Sequence, residues 1–363
     1  MTTRIYAALD YALLVIDDRD GSWDVNQYFD GNERPYAVAV DPFAPERAYL
    51  GTFNDGLWRT VDGGDSWSQI GSDFSSSRVT AVAVAAEDRP QEYGTVYAGT
   101  EPSAVYRSDD GGDTWSTCHG LTDLDSATEW SFPGRPDTHH VRWIEPDPSD
   151  PERLYVSIEA GAVVTTSDRG ETWTDRVPDS PSDAHTLATH PDAPNRVYAA
   201  AGDGLVEEWA CHEYAESTDG NESWSSLSEG LDHHYGWAVA VDPGDPETRV
   251  LTTSTSAGRA HDIEDEAVRT HDEPNDPYSV VYRRQSDEPW QQCTEGLPEP
   301  SGTFVPVLAT INNEPGRFYV LTNRGLYQSI DAGETWKEMN LAWDEEYHDQ
   351  QPRSIAGIDV KDD

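Results

Sequence analysis

The chain has 363 residues and carries 69 acidic against 24 basic residues, which gives a formal net charge of -45. This charge disfavours nucleic acid and anionic membrane surfaces as partners, because both are polyanions. The sequence shows neither a signal-peptide pattern nor an apolar run of about 20 residues, so we expect a cytoplasmic protein that does not enter a membrane.

The predicted strands follow one order along the chain. Residues 4–8 form the first strand, and residues 36–42, 47–52 and 56–60 form later ones, each rich in β-branched or aromatic residues and bounded by Gly, Pro or Asp. The run at 36–42 consists mainly of small residues, which suits a crowded position near an axis. The last of these strands leads directly into a turn motif, Thr60-Val-Asp62-Gly-Gly64-Asp-Ser66-Trp67.

This motif recurs along the chain as a small hydroxyl residue, Asp, Gly, Ser or Thr, and Trp at fixed spacing. In such a box the Asp accepts backbone N–H bonds within a tight turn, the Gly supplies a left-handed conformation, and the Trp is buried between neighbouring sheets. We interpret the boxes as structural staples. Asn221 replaces the Gly in one copy, and the copies at 18–23 and 283–290 are degraded. The box residues are Asp18, Asp62, Asp110, Asp168, Asp219 and Asp331, with Trp23, Trp67, Trp115, Trp173, Trp224, Trp290 and Trp336.

Seven tryptophans at this spacing predict seven repeats. Their separations of 44, 48, 58, 51, 66 and 46 residues match a four-stranded propeller blade. The chain begins with a second strand and ends, at 353–360, with a segment like an innermost strand, so both termini should share one blade. We therefore predict an all-β, seven-bladed β-propeller with four antiparallel strands per blade. It forms a single domain over residues 1–363, with insertions at about 116–141 and 254–280 on one face.

The boxes, and the Val-Asp-Pro, Tyr-x-Gly-Thr and Asp-Gly-Gly order within residues 40–67, resemble the Asp-box (BNR-repeat) β-propeller superfamily. That superfamily includes sialidases, xyloglucanase-like glycoside hydrolases, sortilin ectodomains and plant-type photosystem II assembly factors. The resemblance implies the fold over nearly the whole chain, whereas activity depends on the site. The Arg-Ile-Pro motif of sialidases is absent, and the chain supplies one ring where xyloglucanase-like enzymes have two.

A site is expected on the top face, which carries the loops into the innermost strands and the loops between second and third strands. Alignment of the innermost strands places Tyr36, Thr80, Arg142, His185, Trp237, Val307 and Ser354 at the mouth of the channel. The first hypothesis is a pocket, centred on blades four to six, for a polar or anionic small molecule or a glycan. Its ligand-binding candidates are Arg34, Arg78, His140, Arg142, His185, His234, Tyr235, Trp237 and Arg353.

Two further hypotheses remain open. Histidines from adjacent blades could hold a divalent transition metal, because imidazole suits such ions. The candidate ligands are His139, His140, His185, His233 and His234, with Glu159 or Asp203 nearby. Alternatively, the propeller is a protein-docking scaffold without catalysis. If the chain is a glycoside-hydrolase-like or metal-dependent enzyme, its acids could come from Glu159, Asp203 or Glu207, but 69 acids place some there by chance. We expect a monomer and identify no definite cofactor.

The acids are spread along the chain rather than gathered in one tail. This distribution, with only two lysines, is typical of haloarchaeal-type proteins that work in molar salt. At that ionic strength the Debye length is about 3 Å, so the repulsion between surface carboxylates is largely screened.

Overall fold

Seven β-sheets follow one another along the chain as the blades of a propeller. The computed structural model describes residues 2–19, 22–29, 33–86, 93–202, 213–261, 276–311 and 314–360. Blade 1 contains β1 (Thr2–Leu9), β2 (Leu13–Arg19) and β3 (Ser22–Tyr28), and blade 2 contains β4 (Pro35–Val40), β5 (Ala48–Thr52), β6 (Leu57–Thr60) and β7 (Ser68–Ile70). Blade 3 contains β8 (Val79–Ala85), β9 (Thr95–Thr100), β10 (Val105–Ser108) and β11 (Ser116–Cys118), and blade 4 contains β12 (Val141–Pro146), β13 (Leu154–Ile158) and β14 (Ala162–Thr166).

The remaining blades repeat this order. Blade 5 contains β15 (Ala184–Thr189), β16 (Val197–Ala201), β17 (Tyr214–Ser217) and β18 (Ser225–Ser226), and blade 6 contains β19 (Tyr235–Asp242), β20 (Asp245–Ser254), β21 (Ser279–Gln285) and β22 (Gln291–Gln292). Blade 7 contains β23 (Val307–Ala309), β24 (Phe318–Thr322), β25 (Gly325–Ser329) and β26 (Lys337–Glu338). Among the described residues, the helical elements are α1 (Ala257–His261) and three 3-10 turns at Leu121–Asp123, Asp125–Glu129 and Glu345–Asp349.

Blade 1 is completed by the last strand, β27 (Pro352–Val360), which pairs antiparallel with β1 from Thr2↔Val360 to Leu9↔Pro352. Ile355 and Ile358 are buried along it. The predicted seven-bladed ring, closed by the two termini, is confirmed. Blade 4 differs slightly, since a single bridge between Thr165 and Thr174 replaces its outer strand. None of the described helices has the length and apolar character needed to cross a bilayer.

Five Asp boxes make the same hydrogen bonds. In the first, Thr60 Oγ1 accepts the Gly64 N–H at 2.9 Å, and Asp62 Oδ1 accepts the Ser66 N–H at 2.9 Å. Gly64 has φ of +103°, and Asn221, at the same place in its box, has φ of +78°. A side chain can replace glycine there because Asn tolerates the left-handed region. The equivalent bonds are centred on Asp110, Asp168, Asp219 and Asp331.

The box tryptophans pack against the preceding blade. Trp67 contacts Tyr6 and Phe29 of blade 1 edge-on, and Trp290 contacts Tyr214 of blade 5. Such pairs add about 0.5–1.5 kcal/mol to the area that they bury. The staple therefore acts in two directions, since it closes a turn within one sheet and holds that sheet against its neighbour.

Hydrogen bonds also join the innermost strands around the channel. Glu145 of β12 accepts bonds from Thr189 of β15, through the backbone N at 3.0 Å and Oγ1 at 2.9 Å, and from Trp143 Nε1 at 3.1 Å. Burial raises the pKa of Glu145 from 4.5 to about 7. Between pH 4.5 and about 7, the Glu145 carboxyl therefore keeps its proton in the folded protein, whereas the same group has lost it in the unfolded chain.

We expect Glu145→Gln to change the pH dependence of stability. In the wild type the folded state binds more protons than the unfolded state above about pH 4.5, so its stability should fall as the pH rises to about 7. Glu145→Gln has no carboxyl to titrate at this position. The melting temperature of the variant minus that of the wild type should therefore increase as the pH rises from about 4.5 to about 7. Thermal unfolding at both ends of the range tests this, with the exposed Glu152→Gln as control. A difference that does not change with pH would refute the assignment.

Candidate functional site

The innermost strands of six blades contain a β-bulge at the top face. In β15, Ala184 pairs with Ala201 and Thr186 with Ala200, so His185 lies opposite no residue. A bulge leaves its extra residue unpaired and re-aims the side chain. The same register shift recurs in β27, β4, β8, β12 and β19. From blade 1 to blade 6, the residues at the bulges are Arg353, Tyr36, Thr80, Arg142, His185 and Trp237.

Five of the residues that the sequence places at the mouth thus share one structural position. Two others differ. In blade 1 the bulge falls on Arg353 and not on the aligned Ser354, which instead accepts a bond from Val38 N at 3.1 Å. In blade 7, β23 begins at Val307 and pairs with β24 without a register shift. The bulge residues Tyr36, Thr80, Arg142 and Arg353 line a narrow cavity in the channel.

His185 is buried and held in one orientation. Its Nδ1 lies 2.7 Å from the carbonyl oxygen of Gly236, so this nitrogen carries a proton and donates it. Its Nε2 faces Glu159 Oε1 at 3.7 Å and Asp183 Oδ2 at 3.6 Å. We call Glu159, Asp183 and His185 the acid–imidazole cluster.

A chain of polar contacts leads from His185 towards blade 1. The hydroxyl of Tyr235 lies 3.4 Å from His185 Nε2 and 3.0 Å from His261 Nε2. Gln351 Nε2 donates to His261 Nδ1. Because Nδ1 accepts that bond, His261 carries its proton on Nε2 and donates to Tyr235, which leaves the tyrosine hydroxyl proton free to point at His185.

Next to the cluster lies a group of buried polar atoms without hydrogen-bond partners, which we call the polar floor. It consists of both ring nitrogens of His140, Nε of Arg142, Oε2 of Glu159 and Nε1 of Trp237. Arg142 Nε and Glu159 Oε2 form an ion pair at 3.2 Å that lacks hydrogen-bond geometry, and the Arg142 guanidinium lies 4.5 Å from the ring centre of Trp237. His140 is 1% exposed and Arg142 is 5% exposed. Buried polar groups are normally paired with protein atoms or ordered water, so this group is a candidate place for a bound molecule.

Burial dominates the titration of the site. It raises the pKa of Glu159, and the negative charge of Asp183 raises it further. Burial also holds the pKa of His140 and His261 well below the ordinary value, with nearby arginines acting in the same direction. For His185, burial alone lowers the pKa, but the carboxylates of Asp183 and Glu159 outweigh it and leave the pKa raised. His140 and His261 are therefore neutral at pH 7.

A second cluster, the arginine patch, surrounds Phe53 on blades 2 and 3 and the loop before blade 4. The guanidinium groups of Arg34, Arg78 and Arg135 each lie 5.0–5.1 Å from the ring centre of Phe53. Glu101 holds two of them, accepting bonds from Arg135 at 2.6 and 2.8 Å and from Arg78 at 2.9 Å. Three cations on one aromatic ring are unusual on a chain with a net charge of -45.

The other predicted ligand-binding residues are placed differently. Arg353 is paired with Asp10 at 2.6 Å, and its guanidinium lies 5.7 Å from the ring centre of Tyr36. His234 points outwards, with 68% of its side chain exposed, and Glu213 Oε1 lies 2.8 Å from its Nδ1. His234 thus lies outside the polar floor.

The predicted histidine cluster does not form a ligand set among the described residues. His139 packs against Trp130, and His233 Nδ1 is bound by the hydroxyl of Tyr282 at 2.6 Å. The loops that carry these histidines direct each ring towards its own aromatic neighbour. Of the five, only His185 belongs to a group suited to a metal. Asp203 and Glu207 lie outside the described residues.

Asp183, His261 and Gln351 belong to the site but were not among the predicted binding residues. Asp183 stands two places before the bulge residue of its strand, as His140 and Tyr235 do in theirs. The alignment of innermost strands therefore contained the signal. His261 and Gln351 arrive from two loops far apart in sequence, and no pattern in the sequence joins them.

Solved structures share this fold. An ancestral GH74 enzyme is 17% identical with a TM-score of 0.61, and the match covers 87% of this chain and 39% of that one. YCF48 bound to D1 peptide is 15% identical with a TM-score of 0.57, and the match covers 91% of this chain and 94% of that one. The GH74 xyloglucanase from Xanthomonas campestris is 16% identical with a TM-score of 0.54, and the match covers 90% of this chain and 56% of that one.

At these identities the likeness concerns the fold alone. The chain spans well under half the length of the ancestral GH74 enzyme. No curated protein matches the sequence. The family model Sortilin-Vps10, described as sortilin, neurotensin receptor 3, matches residues 103–286, just over half of the chain. The protein is therefore an Asp-box β-propeller that belongs to the Sortilin-Vps10 family.

Proposed function

We propose that the chain binds an oxygen-rich small molecule, an acidic sugar or a similar polyol with a carboxylate, at the polar floor of blades 4 to 6. The observation that carries this proposal is the set of buried atoms without hydrogen bonds. Arg142 Nε, Trp237 Nε1 and one nitrogen of the neutral His140 are donors, whereas Glu159 Oε2, which is ion-paired with Arg142, and the other His140 nitrogen are acceptors. The donors suit carboxylate and hydroxyl oxygens, and the acceptors suit a hydroxyl.

Binding fits this arrangement better than glycoside hydrolysis. The nearest oxygens of Glu159 and Asp183 lie within 4.8 Å of each other, and both face the buried ring of His185. Glycosidases instead place two carboxyl groups on either side of the scissile bond, about 5–9.5 Å apart.

The test compares D-glucuronate with D-glucose by thermal shift in the presence of EDTA, so that metal effects are removed. Glucuronate should raise the melting temperature saturably, by about 5 °C at a concentration near 100 times Kd, since binding then adds about 2.7 kcal/mol. Arg142→Gln should abolish the shift. Arg317→Gln, which removes a cation paired with Glu314 at the opposite face, should retain it. Equal shifts with both sugars, or a full shift in folded Arg142→Gln, would exclude this function.

A protein partner at the arginine patch is the second candidate. It is favoured by one observation, the three guanidinium groups around Phe53, which would attract an acidic segment. A propeller of similar fold, YCF48, has been solved bound to a peptide. The two candidates use different blades, so variants of Arg142 and of Arg78 separate them.

A further inference from the structure

The acid–imidazole cluster has the geometry of an open metal site. Glu159 Oε1, Asp183 Oδ2 and His185 Nε2 come from the loop after β13, the residue before β15 and the bulge in β15, and they lie within 4.8 Å of one another. His185 Nε2 is 3.7 Å from the first oxygen and 3.6 Å from the second, which is too far for a direct hydrogen bond.

These separations are close to those around a cation. With bonds of about 2.0–2.1 Å, two ligands of a tetrahedral ion lie about 3.3 Å apart. His185 Nε2 would need to approach each acid oxygen by only a few tenths of an ångström, and the two acid oxygens lie within 4.8 Å of each other. A set of one imidazole and two carboxylates suits Mn²⁺, Fe²⁺ or Zn²⁺ better than Ca²⁺, which prefers oxygen ligands alone.

The ligand atoms are also oriented before any ion binds. The Nδ1–H of His185 donates to Gly236 O at 2.7 Å, which turns the lone pair of Nε2 towards the acids. Asp183 Oδ1 accepts the Ala160 N–H at 2.8 Å, which turns Oδ2 inwards. Metal-binding histidines nearly always donate their second ring N–H to a carbonyl or carboxylate in this way.

The charges of the two acids also favour a cation between them. Glu159 is 7% exposed, and the positive neighbour of its Oε2, Arg142 Nε at 3.2 Å, lies without hydrogen-bond geometry. Asp183 places a second carboxylate within reach of the same buried space, and two such charges repel each other strongly there. A cation between them would neutralise this repulsion.

We propose that Glu159, Asp183 and His185 bind one divalent transition-metal ion, with the side of the ion nearest the hydroxyl of Tyr235 left open. Three protein ligands and an open position are characteristic of sites that bind or activate a further ligand. This ligand set differs from the predicted histidine cluster, and it does not depend on sugar binding at the polar floor.

The experiment is isothermal titration of the full-length, EDTA-treated protein with ZnCl₂ and with MnCl₂ in about 1 M KCl, which screens weak binding to surface acids. We expect one saturable site per chain. Asp183→Asn keeps the shape of the side chain and should weaken affinity by about 100-fold or more, since even outer partners of a ligand contribute about 10–100-fold. Asp55→Asn, the same change of charge in another top-face loop, should bind as the wild type does.

A second measurement needs no variant at the site. One equivalent of Mn²⁺ should broaden the ring resonances of His185 in the wild-type protein and leave those of the exposed His119, beyond the outermost strand β11 of blade 3, unchanged. Equal broadening of both rings, no saturable binding, or wild-type affinity in Asp183→Asn would overturn the proposal. Retained metal binding with no response to glucuronate would leave this site standing and remove only the function proposed above.

Discussion

Deleting residues 352–363 should abolish cooperative folding. This truncation removes β27, the innermost strand of blade 1, and exposes β1 along its whole length. The buried side chains of Ile355 and Ile358 are lost as well. Each would cost several kcal/mol on its own, against a total stability of about 5–15 kcal/mol. Circular dichroism and size-exclusion chromatography should show loss of the thermal transition and aggregation through the free edge.

The matched control is deletion of residues 361–363 alone, which leaves every strand of blade 1 in place. This shorter truncation should melt within about 2 °C of the full chain, because it removes no residue of a described strand. If the longer truncation still melts cooperatively as a monomer, the ring does not depend on the shared blade, and the closure argued here is wrong.

The second large effect should come from salt. The chain carries 45 more formal negative than positive charges, and many described arginines are already paired with carboxylates. Raising KCl from about 0.1 M to about 1 M shortens the Debye length from about 10 Å to about 3 Å and screens the remaining repulsion. We expect the melting temperature to rise by about 10 °C or more, equivalent to a few kcal/mol.

Two controls separate screening from general solvent effects. Sucrose at matched osmolality stabilises by exclusion from the surface and should give a smaller rise. Tetramethylammonium chloride should act much as KCl does if ionic strength alone matters. A melting temperature that does not vary with KCl would remove the proposal that this acidic composition is an adaptation to salt.

The fold could be predicted because its signals are local and repeated. Each Asp box needs only eight consecutive residues to form its bonds, as at Thr60 to Trp67, and the tryptophans then count the blades. Closure of the ring was also predictable. The sequence begins with a second strand that lacks an innermost strand and ends with an innermost strand that lacks a blade, and the structure pairs the two as β1 and β27.

The site was predictable only to the level of a position in each blade. Alignment of the innermost strands correctly grouped Arg142, His185 and Trp237, but it could not show that each sits on a bulge. A bulge depends on the pairing of two strands, and one skipped residue changes which side chain faces the channel. For this reason Ser354 was placed at the mouth of blade 1, where the structure has Arg353.

The sequence by itself determined the number of blades and five of the strand positions at the mouth of the channel. Only the tertiary structure decided which side chains meet: Asp183 and His185 with Glu159, His261 with Tyr235, and three arginines with Phe53. The physical reason is the range of the interactions. Turn and strand preferences act between residues close in sequence, whereas the contacts of the site join loops from different blades, and their distances follow only when the ring is closed.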